Sequence, residues 1–327
     1  MTHFTRAALP LVAAAALAAL PSAAAAQAAI EDPECIAPAQ PGGGFDLTCR
    51  MLQEGFAEVI EDPIQVTFLP GGSGAVAINV FNTTRTDDPS AVVAFSTGSL
   101  LNMVTGKFGQ WGPDDVRYVG TVGADFGGVM VRADSGIETL ADLEARLKED
   151  IGSLVFGSGG SVGSQDWMKG AVLLDTMGLD ARDIRYVAFD GGGEAIAALL
   201  GGSTDVFFAD MGETVPHLDA GQLRVIAALS PERLPAPFED IPTAIEQGYD
   251  AEYTIMRGFY LGKDVSDEAY DAWVDAFRRA YETETYRETQ REKGLLPLEM
   301  AGEEFAASIG ERVERLTALA RETGLIQ

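Results

Sequence analysis

Short apolar runs rich in β-branched and aromatic residues alternate along most of the chain with longer stretches whose apolar positions recur at helical spacing. A first series of strands is expected at Glu34 to Ala37, Ile64 to Phe68, Ala91 to Phe95 and Val116 to Val122, with helices opening near Asp46, Gly74 and Ser99. A second series repeats the layout, with strands at Leu154 to Phe156, Ile184 to Phe189, Asp205 to Ala209 and Leu223 to Leu229. Its helices are expected at Ser164 to Met177, Gly193 to Leu200 and Glu213 to Ala220. Alternation of this kind builds α/β units with largely parallel sheets, and its repetition predicts two lobes. Gly127 to Arg132 and Tyr253 to Leu261 are β-rich runs placed to cross between the lobes, and the amphipathic segments 267–284 and 302–323 are expected to pack back on the first. The division read from this pattern is 29–129 with 251–327 as lobe 1, and 130–250 as lobe 2.

The ends and the composition sharpen this picture. Arg6 precedes an apolar run from Ala7 to Leu20, then Pro21 and a string of alanines, which is the pattern of an export signal over 1–28, with Ala26-Gln27-Ala28 as the cleavage site. A membrane anchor is the alternative; no later segment is apolar for the roughly 20 residues a span requires, so no other membrane insertion is expected. Cys35 and Cys49, the only cysteines, then enter an oxidising compartment and are expected to form one disulfide, two buried thiols being the alternative. The formal charge of −27, from 50 acidic and 23 basic residues, excludes nucleic acid as a partner, since that needs basic patches. It also means that an anionic ligand must be held by donors acting within a Debye length of about 8 Å.

The candidate chemistry lies in glycine-rich loops after the strands: Pro41 to Asp46, Pro70 to Gly74, Ser96 to Ser99, Gly157 to Ser164, Asp190 to Gly193 and Asp210 to Gly212. In open α/β sheets ligands bind beyond the carboxyl ends of strands, where loops lead into helix N-termini. Glycine allows close backbone approach, and the first N–H groups of a helix favour a carboxylate. Such loops facing each other across a cleft would hold an anion without lysine or arginine.

The run Glu34-Cys35-Ile36-Ala37-Pro38-Ala39-Gln40-Pro41-Gly42-Gly43-Gly44-Phe45-Asp46-Leu47-Thr48-Cys49-Arg50 resembles the start of a mature TctC-type receptor of the tripartite tricarboxylate transporter (Bug) family. Pro70 to Gly74, Ser96-Thr97, Gly201-Gly202 before Asp205, and Pro242-Thr243 followed by Glu246-Gln247-Gly248 are similar to that family in order and spacing. The resemblance implies a type II periplasmic-binding fold with a two-strand hinge, a periplasmic location, and delivery of citrate or a related tri- or dicarboxylate to a membrane permease of a large and a small subunit. No cofactor is expected, and no metal, since one histidine beyond the export signal and two cysteines read as bridged leave only carboxylates as ligands. By matching, Gly43, Gly44 and Asp46 would hold a ligand carboxylate, Ser73 and Thr97 would line the first-lobe face, and Ser161, Ser164 and Asp210 the second-lobe face. Asp46 has an equal claim to a structural role in the first helical turn, and Arg257, on the return crossing, is expected in a salt bridge near the cleft.

Two other readings stand beside this one. A loaded receptor could signal to a receptor kinase instead of feeding a permease. Gly159-Gly160-Ser161-Val162-Gly163 also fits the nucleophile elbow of serine hydrolases; its base would have to be His217, the only histidine after the leader, which falls outside the position that the hydrolase order expects.

Overall fold

The computed structural model describes residues 1–3 and 30–326, so the expected export signal and its cleavage site near Ala28 lie, beyond the first three residues, outside the described residues. β1 (Glu34–Ala37) leads into α1 (Gly44–Gly55), β2 (Gln65–Phe68) into α2 (Ala75–Thr83) and β3 (Ala91–Ser96) into α3 (Thr97–Val104). β4 (Val116–Arg132) is followed by α4 (Leu140–Glu149), β5 (Val155–Gly159), α5 (Gln165–Thr176), β6 (Arg185–Phe189) and α6 (Gly192–Leu200). Then come β7 (Val206–Asp210), α7 (Met211–Asp219), β8 (Leu223–Leu229) and β9 (Thr254–Gly262), and the chain ends in α8 (Asp267–Tyr281), α9 (Glu284–Glu292) and α10 (Glu303–Glu322). Among the described residues no helix is long and apolar enough to cross a membrane.

The lobe-level repeat in the sequence has a topological basis. One sheet has the order β2-β1-β3-β9-β4, with β9 antiparallel to both neighbours. The other has the order β6-β5-β7-β4-β8, with β4 antiparallel to β7 and β8. Each lobe is thus a parallel βαβ array into which one antiparallel strand from a lobe crossing is inserted. This is the two-lobed α/β fold of the type II class, and it aims the carboxyl ends of β1, β3, β5 and β7 at the space between the lobes.

The main difference from the sequence pattern is β4. Two separate runs are expected, but one strand of 17 residues forms, pairing with β9 from Val116 to Phe126 and with β7 and β8 from Gly127 onward. The glycines that read as a break are what allow continuity. Gly123 sits at φ +152° beside a register shift between Thr121 and Gly123, and such bulges bend and twist a strand. Gly120 admits the Phe277 ring, because a Cβ there would fall 2.5 Å from a ring carbon.

The C-terminal segment also departs from expectation. α8 and α9 do cover the first lobe, where Phe56 packs edge-on against Phe277 with ring centres 4.8 Å apart. α10, in contrast, touches both lobes. Phe305 near its start packs on Tyr118 of β4, with ring centres 5.6 Å apart, whereas beyond its end Thr323 donates to the Met168 sulfur of α5 at 3.7 Å and Leu325 lies over Gly163.

Cys35 on β1 and Cys49 on α1 are joined in a disulfide, which closes the loop that carries Pro41 to Asp46. In the chain-entropy model a loop of about 15 residues contributes roughly 3 kcal/mol. Urea unfolding of the Cys35→Ala, Cys49→Ala double variant should show a loss of about that size; an unchanged midpoint would mean that packing alone fixes the loop.

Candidate functional site: the cleft between the lobes

A cavity lies where the strand ends meet, lined from the first lobe by Gly43, Gly44, Phe45, Ser73 and Asn102 and from the second by Ser164, Gln165, Gly191, Gly192 and Asp210, with Arg257 at its floor. Its water-accessible volume is about 60 Å³, room for roughly four or five waters. The lobes are closed on it. A Cβ on Gly43 would fall 2.9 Å from the Gly193 nitrogen, and one on Gly193 would overlap the Pro41 carbonyl. Lys107 of the first lobe donates to the Val162 carbonyl of the second at 2.8 Å. Glycine is required at 43 and 193 because here main chain meets main chain.

α3 and α5 carry serine caps, Ser96 and Ser164. α1 and α6 have no side-chain cap, their N-cap residues being Gly43 and Gly191. The first three N–H groups of an uncapped helix lack an acceptor, and they carry the positive end of the helix dipole. The first residues of these two uncapped helices approach each other across the cleft, so the cavity presents main-chain donors from both lobes.

Beneath these donors lies a buried ion network. Arg257 on β9 donates to Asp125 at 2.6 and 3.0 Å, to Asp210 at 2.7 Å and to the Gly44 carbonyl at 3.0 Å. Lys169 on α5 bridges Asp210 at 2.5 Å and Asp166 at 2.7 Å. Glu213 accepts the Asp210 N–H at 3.0 Å. Burial pushes the Asp210 carboxyl up, but Lys169 and Arg257 outweigh it and hold the group below its ordinary range. For Asp125 and Asp166 burial wins over the adjacent cation and the pKa is raised. Burial, followed by the charges of Asp210 and Asp166, pushes Glu213 up to about 8. With two cations among four acids, Glu213 therefore keeps its proton at neutral pH.

The structure distributes the expected site residues unevenly. Gly43, Gly44, Ser73, Ser164 and Asp210 line the cavity, and Ser161 lies at its outer mouth. Asp46 and Thr97 are not among the lining residues. The Asp46 carboxylate accepts the Gly42 N–H at 2.9 Å and pairs with Arg50 at 3.1 Å, its helix-start role, and the Thr97 hydroxyl accepts the Met256 N–H at 2.9 Å. Ser73 sits in the left-handed region at φ 51°, an uncommon place for a non-glycine residue. The pattern-based reading missed Asn102, Gln165, Lys169 and Asp125. Lys169 within the apolar face of α5, and Asp125 inside a strand, were signals available in the sequence.

A family model described as the tripartite tricarboxylate transporter family receptor, TctC, matches residues 48–325. The chain belongs to this family. It is 27% identical over 286 residues to the UPF0065 protein in gbd 5'region of Cupriavidus necator, covering 87% of this chain and 85% of that one. It is 23% identical over 299 residues to protein BugT of Bordetella pertussis, covering 89% of each. Among solved structures, MatC from Rhodopseudomonas palustris with bound malate matches at TM-score 0.75 and 19% identity, over 88% of this chain and 98% of MatC. R. palustris Rpa4515 with adipate matches at TM-score 0.78 and 18% identity, over 90% and 97%. These likenesses show the fold.

Membership in the TctC family makes the chain a solute-binding receptor, not an enzyme. The nucleophile-elbow reading of Gly159 to Gly163 fails accordingly: Ser161 is exposed, and no hydrogen bond joins it to His217 among the described residues. The TctC cleft leaves a pH signature instead. Glu213 ordinarily titrates near 4.5 but stays protonated to about 8 in the fold, so between those values the unfolded chain binds fewer protons and stability falls as pH rises. Glu213→Gln should flatten that fall in urea unfolding series from pH 5 to 8, while Asp125 and Asp166 contribute alike to both proteins. Parallel slopes would contradict the protonated state.

Proposed function

We propose that this chain is a periplasmic receptor that takes a small carboxylate into the cleft, closes over it, and delivers it to a membrane permease of a large and a small subunit. The observation that carries the reading is the pair of uncapped helix starts, Gly43 to Phe45 and Gly191 to Gly193, opposed across one cavity. Main-chain amides of this kind bind carboxylates at helix N-termini, and they act locally against the charge of −27. The malate and adipate held by two structural neighbours support a carboxylate ligand; citrate is a further member of the class. In this reading 29–129 and 251–327 form one lobe and 130–250 the other. Closure turns about β4 and about the second crossing, where Tyr253 donates to Leu229 at 2.9 Å and Gly127 donates to Tyr253 at 2.9 Å.

Capture by closure makes the fit of the two lobes part of the affinity. Titration calorimetry against malate, adipate, citrate and small monocarboxylates should find a ligand, and a ligand at 100 times its Kd should stabilise the fold by about 2.7 kcal/mol. Gly193→Ala, which sets a methyl against the Pro41 carbonyl, should weaken that ligand by at least about tenfold (roughly 1.4 kcal/mol) while leaving the unliganded melting temperature in place. Unchanged affinity in this variant would contradict closure at the glycine contact.

A further inference from the structure

The cleft holds more acceptors than a carboxylate can use. Asn102 is only 5% exposed, and its Oδ1 is buried without a donor; the Gln165 Oε1 is also buried without one. Both residues line the cavity. Their amide orientations follow from their other atoms, since Gln165 Nε2 donates to both oxygens of Asp210 at 3.0 and 3.1 Å and Asn102 Nδ2 points at the Ser73 carbonyl, 3.5 Å away. Turning Gln165 over would set its oxygen against a carboxylate. Asp190 lines both the cavity and its mouth, and its carboxylate has no hydrogen bond or salt bridge among the described residues. A buried acceptor left without a donor is unfavourable, so a site that presents several favours a ligand that donates to them.

The side-chain donors run the other way. Arg257 is the only cation that lines the cavity, and a guanidinium has five N–H groups. Those of Arg257 are directed at Asp125, Asp210, the Gly44 carbonyl and, at 3.5 Å, Thr48. Lys107 stands at the mouth and donates to the Val162 carbonyl. A second ligand carboxylate would therefore meet the unpaired carboxylate of Asp190 and find no uncommitted cation lining the cavity. The overall charge of −27 opposes the approach of multiply charged anions in the same sense.

We propose that the cleft is built for a zwitterion of amino-acid type, whose carboxylate lies against the amides of α1 and α6 and whose ammonium is received by Asn102 Oδ1, Gln165 Oε1 and Asp190. An ammonium has three N–H donors, one for each of these three residues. The inference rests on the carboxylate reading above and narrows it to one ligand chemistry.

Titration calorimetry with two matched sets tests it: succinate, malate and aspartate, which differ at one carbon in H, OH or NH₃⁺, and glutarate, 4-hydroxybutyrate and 4-aminobutyrate, which differ at one end. In at least one set the ammonium member should bind at least about tenfold more tightly than the diacid without a donor. Asp190→Asn and Asn102→Leu should each shrink that ratio, Asp190→Asn also strengthening the diacid. Diacids or hydroxy acids that bind as tightly as the ammonium member in both sets would overturn the zwitterion while leaving carboxylate binding intact. So would a ratio that survives both substitutions. Absence of binding by every member would overturn both readings.

Discussion

The closed shape of this receptor depends on the carboxylate of Asp210. It stands at the end of β7 in the second lobe, 2.7 Å from Arg257 on the β9 crossing and 2.5 Å from Lys169 in its own lobe. Buried charges of this kind need each other: their desolvation is offset only while every partner is present, and removing one costs roughly 3 to 5 kcal/mol. Because Arg257 also donates to Asp125 and to the Gly44 carbonyl, a single guanidinium ties the first ligand loop, the long β4 and the opposite lobe together. Gly44 has to be glycine for the same reason, since a Cβ there would fall 2.5 Å from Arg257 and 3.0 Å from Asp210.

That arrangement decides how a ligand can be held. With Arg257 and Lys169 committed to internal carboxylates, the charge for an anion comes from helix starts, where aligned peptide dipoles act over the first turn only. Short range is what a protein of charge −27 requires: beyond a Debye length of about 8 Å its surface field is screened, and inside the closed cleft the nearest partners are main-chain amides. The protonated Glu213 beneath them keeps the network from adding its full negative charge to the site.

Much of the fold was legible because its signals are local. Strand runs such as Glu34 to Ala37 and Leu223 to Leu229 were placed at their observed bounds, and glycine loops after strands pointed to the cleft. What was not legible depends on distance in sequence. β4 read as two strands because glycine weakens a β pattern, although Gly120 and Gly123 serve bends that only the pairing with β9 and the Phe277 ring explain. Arg257 was expected in a salt bridge near the cleft, but nothing in its neighbourhood announces Asp125, 132 residues away. Thr97 turned toward Met256 for an equally non-local reason. Asn102 and Gln165 lie inside ordinary helical runs, and their unpaired oxygens exist only once both lobes have met.

Amide hydrogen exchange at single-residue resolution bears most directly on the central claim. On addition of a bound carboxylate, the N–H groups of Gly43 to Phe45 and of Gly191 to Gly193 should slow together, because one ligand accepts from both helix starts. Slowing confined to one lobe, or at neither loop while the ligand binds, would contradict a grip made by main-chain donors from the two sides.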